Sequence, residues 1–557
     1  MAYKSMNDLD AFFGPRSPRL GVVTGGSLSR GLDVKLDPET DIEDLAVGRY
    51  VVVHGRNRRF FCMITDIGLG NTNAQITLTP PDFQNNAYLR EVYSGTTAFG
   101  TVHIAPMLTI SENGEVGPVR TIPPHFQEVW TATEQDINDV FGDEDEHHFN
   151  IGAPLELEDT QINVDLRRLT ERSVGVFGKS GTGKSYLTRI LLAGTIARGA
   201  AVNLVFDMHN DYGWEVFNED GRRDKGLKQL FPDKVSIFTL DDESSKRRGV
   251  RPDHVVTLAY SDIQPEDLSA LRQTMDLSDT MLDAAYTLRR RQGKDWIQWL
   301  LRATSEDIED LLAHTTINGA ALAALTRRLE RFQRFGFLTE HPVGGDSVQA
   351  ILDHIQQGIS VILEFGRYGN ALEAYILVAN YLTRRIREHY VRQIEASLGD
   401  EAKQPPQLVI TIEEAHKFLD PMIARQTIFG TIARELRKYK VTLLVVDQRP
   451  SAIDEEVMSQ IGTRVTALLD NERDINAVLM GVSGAGGLRE VLARLDTRQQ
   501  AIVLGHAVPM PVVIKSRPYD EAFYQAMGAP LKGHKLRRAA EKSSRSLYGD
   551  DDWEGFG

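Results

Sequence analysis

The segment GKSGTGKS, residues 178–185, constrains this chain more than any other stretch. It fits G-x-x-x-x-G-K-[ST], with the apolar run SVGVF before it and YLTRILLAG after it. Such a turn holds an anion only where a strand feeds a helix: its glycines let successive N–H groups face one phosphate, and the helix start adds its partial positive charge. The pattern therefore predicts an α/β fold that binds a nucleotide. Gly178, Lys179, Ser180, Gly181, Thr182, Gly183, Lys184, Ser185 and Tyr186 form the candidate binding set. ATP and Mg²⁺ are the expected cofactors, with Lys184 on the β- and γ-phosphates and the Ser185 hydroxyl on the metal. A glycine-rich turn without a ligand is the plain alternative, and the strand and helix around it weigh against that.

The rest of the chain fits this frame. Buried-strand runs AAVNLVFD, VSIFTL, HVVTLAY, ISVILEF, QLVITIEE, VTLLVVDQ, RVTALLD and AIVLGH alternate with helical patterns, the signature of a parallel sheet covered on both faces. From Pro265 to about Gly336 the strand signal gives way to helical periodicity, read as an insertion. Between residues 20 and 115, short runs separated by Gly, Asn, Pro and Asp predict a small β-barrel, a binding platform or an assembly module. The expected organisation is a barrel over 1–120, a linker over 121–155, an ATPase core over 156–264 and 341–530, a helical insertion over 265–340, and a polar tail or arm over 531–557.

Composition narrows the function classes. With 41% hydrophobic and 25% charged residues, the chain is built for a water-facing fold with several cores. No apolar run reaches the ~18 residues of a membrane span, so a cytoplasmic location without a membrane is expected. Cys62, the single cysteine, rules out an intrachain disulfide and a Cys-rich zinc site, and strand packing is its expected role. A net charge of −15 argues against a protein that coats nucleic acid with its whole surface, but leaves room for a ring that is basic only along a channel. Arg222, Arg223 and Lys225, and Arg289, Arg290 and Arg291, are the basic patches that such a channel could use.

Hydrolysis asks for carboxylates as well as a phosphate cradle. QLVITIEEAHKF places two at a strand end, where open α/β sheets carry their chemistry. Glu413 is assigned to the Mg²⁺ shell and Glu414 to the attacking water. Gln448, at the tip of VTLLVVDQRPS, is the candidate γ-phosphate sensor. In DMHNDYGW, Asp207 and Asp211 are expected to support the metal or the water, with loop capping as the competing reading. His147 and His148, neighbours in an acidic loop, are read as solvated linker residues. Arg434 and Arg437 share a helix face, and such an arginine can serve the site of an adjacent subunit.

These segments occur in one order: a barrel ending in GTVHIAPMLTI, then FNIGAPLE, GKSGTGKS, DMHNDY, EEAHKF, IARELRKYK, DQRPSAID and ARLDTRQQAIVLGHAVPMPVVIKSRP. In this the chain resembles the HerA branch of the HerA/FtsK superfamily of RecA-like ring ATPases, over most of residues 20–517. The resemblance implies a homohexamer that hydrolyses ATP between subunits and pumps double-stranded DNA through its centre, and it favours Arg437 as the trans-acting arginine. It also implies a separate partner docked on the barrel, a NurA-like nuclease in DNA end resection or an effector in an antiviral defence complex. A ring that mainly scaffolds such an effector, and a secretion or conjugation ATPase, are the alternative functions. The chain departs from the family pattern at Leu436, Lys440 and Asp447, where Gly, Gly and Ser are usual.

Overall fold

The computed structural model describes residues 18–528 except 74–77, 79–92, 94–96, 112, 156, 218–220, 222, 342–344, 425–426, 483–484 and 496–498. The N-terminal strands close into a six-stranded antiparallel barrel. Around it run Gly31–Leu36, Arg19–Ser27, Glu128–Thr131, Tyr50–His54, Arg58–Asn71 and Ala98–Ser111, closed by the pairing of Leu32 with Ile104. Val51, Val53, Phe60, Cys62, Ile64, Val102, Ile104 and Val129 fill its interior. Cys62 is thus a packing residue, as its surroundings in the sequence suggested.

The alternate side chains of two of these strands, Tyr50, Val52, Phe61 and Met63, belong to the core of the rest of the molecule. Period-2 alternation here divides two cores rather than a core from water. The Val513 N–H donates to the Tyr50 hydroxyl at 3.0 Å across that contact.

One expectation about the barrel is corrected. The sixth barrel strand is Glu128–Thr131, inside the stretch taken as a linker, and it inserts between Arg19–Ser27 and Tyr50–His54. The same stretch supplies the helix Glu134–Phe141 and, from His148, a strand of the second sheet. Its charges misled because they sit on short connections. Asp145 Oδ1 accepts the amides of His147 and His148, each at 2.7 Å, and the His148 ring at 3.0 Å, which makes this acidic loop a capped turn. The run AQITLTP, read as a strand, lies almost wholly outside the described residues.

Among the described residues the second sheet has twelve strands. Eight are parallel, in the order His254–Val255, Val235–Thr239, Ser360–Glu364, Val202–Asp207, Leu408–Glu413, Val441–Asp447, Ser173–Phe177 and Ile461–Thr466. The remaining four, Gln500–Gly505, Val512–Ser516, His148–Ala153 and Ile162–Asp165, continue it antiparallel. The run AIVLGH therefore belongs to this antiparallel extension and not to the parallel sheet. The P-loop strand is central, as a fully buried run such as SVGVF requires.

The helical insertion comprises Pro265–Ala270, Asp279–Gln292, Trp296–Arg302, Ser305–Ala313 and Gly319–Leu329. Its two ends are tied by a parallel pairing of Leu258–Ala259 with Leu338–Thr339, so it leaves and rejoins the core at one place. No helix among the described residues is long and apolar enough to cross a membrane. The tail over 531–557 lies outside the described residues.

Candidate active site

The strand Ser173–Phe177 ends in a turn that only glycine accommodates without strain: Gly178, Gly181 and Gly183 have φ of 156°, 76° and 88°. The helix Lys184–Arg198 starts at once, its first N–H groups without a side-chain cap. The turn holds its own shape meanwhile. The Lys179 carbonyl accepts from the Thr182 hydroxyl at 2.7 Å and from Lys184 Nζ at 2.8 Å. Burial lowers the Lys184 pKa, and the nearby charges of Glu414, Asp447 and Glu413 oppose that shift.

Four adjacent parallel strands end in a buried acid, namely Glu364, Asp207, Glu413 and Asp447. Their partners separate them. Glu364 is paired with Arg248 at 2.5 Å. Asp447 accepts the His416 amide at 2.6 Å, the His416 ring at 2.9 Å and the Arg449 amide at 2.7 Å. Asp207 accepts the amides of Asp211 at 2.7 Å, Tyr212 at 2.9 Å and Gly213 at 3.4 Å.

Of the two readings of Asp207, support of the metal or capping of the loop, its contacts are those of the loop cap. Both of its oxygens accept from the loop that follows it, where Asn210 takes a left-handed φ of 60°, and the residue is fully buried. Burial, reinforced by Glu364, pushes its pKa up to about 7. What this loop brings to the P-loop is Asp211, whose Oδ2 accepts from the Ser185 hydroxyl at 3.4 Å.

Glu413 differs from the other three. Its Oε1 accepts from the Tyr212 hydroxyl at 2.9 Å, while Oε2 is buried with no hydrogen-bond partner among the described residues. Burial, then Asp207 and Asp211, hold its pKa well above the usual carboxylate range. An orphaned carboxylate oxygen, on an acid that feels the charge of Asp211 while Asp211 meets the P-loop serine, is the kind of donor a divalent cation takes.

The next residue, Glu414, has a left-handed φ of 49°, strain of the kind that a functional turn retains. That turn aims it at the neighbouring strand: Gln448 Nε2 donates to Glu414 Oε1 at 3.1 Å, and His416 Nε2 lies 3.8 Å from Glu414 Oε2. The two residues chosen from separate motifs for the water and the γ-phosphate are thus in contact.

Arg434 does not reach this edge. It lines a cleft of about 470 Å³ with Arg172, Ser173, Val441 and Ile461, at the starting ends of the strands, and pairs with Glu456 at 3.6 Å. Arg437 lies on the 3₁₀ turn Leu436–Tyr439, and its side chain falls outside the described residues. Of the basic patches, Arg223 is paired with Glu215 and Lys225 with Glu521, while Arg222 lies outside the described residues.

Comparison with known proteins places this arrangement. A family described as "Helicase HerA, central domain" matches residues 149–386, and the HAS barrel domain matches residues 20–110. A DNA double-strand break repair helicase HerA of Sulfolobus acidocaldarius is 33% identical over 398 residues, covering 70% of this chain and 72% of that protein. The chain belongs to the HerA family. The Pyrococcus furiosus DNA double-strand break repair helicase HerA is 23% identical over 545 residues, covering 90% of this chain and 92% of that protein. A solved structure of the plasmid coupling protein TrwB with ADP and Mg²⁺ matches at a TM-score of 0.43 and 16% identity, over 64% of this chain and 87% of that one.

As a HerA-family P-loop ATPase, the chain has its phosphate turn and its acids on one sheet edge. Four contributors escaped the reading of the sequence. Glu364 looked like any strand-end acid, His416 like the start of a helix, and Tyr212 and Arg189 carried no motif. Only the i, i+4 spacing of Ser185 and Arg189 hinted that both face the same loop.

Proposed function

We propose that this protein is an ATP-driven, homohexameric translocase of double-stranded DNA that works with a separate nuclease in end processing. The observation that carries the reading is the convergence of Ser185, Asp211 and the orphaned Glu413 oxygen beside the Glu414–Gln448 contact, in a chain of the HerA family. In this reading the turn from Gly178 to Tyr186 holds the phosphates of ATP. Lys184 would leave the Lys179 carbonyl for the β- and γ-phosphates, and Ser185, Glu413 and Asp211 would hold Mg²⁺. The metal, when bound, neutralises charge on the β- and γ-phosphates.

Glu414 receives a proton from the attacking water, and Gln448 holds its other oxygen while reading the γ-phosphate position. Arg434 stands at the opposite end of the strands from its own P-loop, so an arginine on this helix serves a neighbouring subunit's site if it serves any. Arg437, on the turn beyond it, is the proposed trans arginine. The relatives' names state repair of DNA double-strand breaks, and the translocation and nuclease partnership proposed here extend that to this chain.

The test is Lys184→Ala in the assembled protein. Loss of ATP turnover, of DNA movement and of nuclease-coupled resection, with assembly intact, supports the motor. Full effector activity in that variant would instead favour a ring that organises its partner without moving DNA.

A further inference from the structure

We propose that Asp447 and His416 form a positioning pair that fixes Glu414 for its encounter with water, an inference that rests on the role of Glu414 proposed above. Asp447 is buried at the end of the strand next to the P-loop strand and accepts from both the backbone and the ring of His416. The backbone bond sets the turn after Glu414, and the ring bond sets the direction of the imidazole. Its far nitrogen, Nε2, then lies 3.8 Å from Glu414 Oε2, while Gln448 holds Oε1 at 3.1 Å. A carboxylate hydrogen-bonded at one oxygen and facing the imidazole across an ion-pair distance at the other, on a backbone in the left-handed region, has fewer orientations open to it.

The ring's protonation decides whether the contact is attractive. Because Nδ1 keeps its proton for Asp447, the proton that can leave is the one on Nε2. With it, His416 presents an N–H and a positive charge to Glu414; without it, a lone pair faces a carboxylate. The hydrogen bond that the ring donates to Asp447 raises the His416 pKa, and the charges of Asp447 and Glu414 add to this against burial and Lys417. Lys184 from the P-loop helix faces the same acids. The contact is therefore present below the raised pKa and lost as pH rises through it.

The experiment compares the pH dependence of kcat, at saturating Mg²⁺ and ATP, for wild type, His416→Asn, Asp447→Ser and Glu414→Gln. The expected result is an alkaline fall in the wild type that His416→Asn removes and Asp447→Ser moves to lower pH. Both variants should lose roughly tenfold in kcat with KM for ATP within about twofold. Glu414→Gln should lose about 10²-fold or more at every pH. If His416→Asn and Asp447→Ser keep the wild-type profile, whether kcat is retained or falls along with the melting temperature, the pair has no such role even where Glu414→Gln is inactive. If Glu414→Gln still turns over, the assignment of Glu414 itself falls, and the pair's purpose with it.

Discussion

Glu413 is a buried acid left half-unpartnered, and that state costs the protein stability whenever the nucleotide site is empty. Replacing it with glutamine keeps an acceptor for the Tyr212 hydroxyl and removes the charge that Asp207 and Asp211 oppose. Glu413→Gln should raise the unfolding temperature of the nucleotide-free protein by about 2–4 °C. It should also abolish the further rise that Mg²⁺ and ATP together give the wild type, and most of the turnover. Differential scanning fluorimetry with and without Mg·ATP checks both; a variant that melts lower than wild type without ligand would contradict the account. The sequence showed two adjacent acids at a strand end, Glu413 and Glu414. It could not say which strand-end acid keeps an open oxygen, because that depends on Tyr212, on Arg248 and on the loop after Asp207, all brought in from elsewhere in the fold.

At the scale of elements, the site is held together by the start of the P-loop helix and by the segment around Tyr519. Arg189, one turn after Ser185 and almost fully buried, donates through Nε at 2.8 Å and through Nη2 to the Asp211 carbonyl, keeping that loop against the helix. Tyr519 covers it, with its ring 6.0 Å from the guanidinium, its amide on the Tyr186 hydroxyl and its own hydroxyl on the Lys225 carbonyl at 2.9 Å. The segment leading into the helix Glu521–Gly528 is thus a strut for the Asp211 side of the site. Tyr519→Ala should raise the Mg²⁺ concentration for half-maximal turnover about threefold to tenfold, equivalent to ~0.7–1.4 kcal/mol. Fluorescent-nucleotide affinity measured without Mg²⁺ should stay as in the wild type, and Tyr519→Phe should shift the Mg²⁺ requirement less. Equal losses in both measurements would mean that the strut merely supports the fold. This contact was illegible in the sequence, since an aromatic residue more than 300 positions from the P-loop carries no periodicity that points to it. The parallel strands were legible because each is a continuous apolar run. The antiparallel extension was not, because strand direction depends on connections and leaves no mark on composition.

For the whole molecule, the arrangement of ends matters most. The phosphate turn and the acids occupy one edge of the parallel strands, and the helix Ile428–Glu435 brings Arg434 to the other. A ring built head to tail joins such opposite surfaces at every boundary, so each site would draw Lys184 from one subunit and the arginine from the next. Lys184→Ala and Arg437→Ala should each abolish ATP turnover, yet a mixture refolded or exchanged together should recover it. At equal proportions and random assembly, about a quarter of the boundaries pair an intact Lys184 with an intact Arg437, so roughly 25% of wild-type turnover should return. If the arginine acted within its own subunit, every site in the mixture would lack one group and no activity would appear. The same mixture with Arg434→Ala in place of Arg437→Ala decides between the two arginines, because only the variant that inactivates by itself can be complemented. Turnover that stays at full speed in Arg437→Ala and Arg434→Ala alike would remove the shared site, and with it the mechanical reason for a ring.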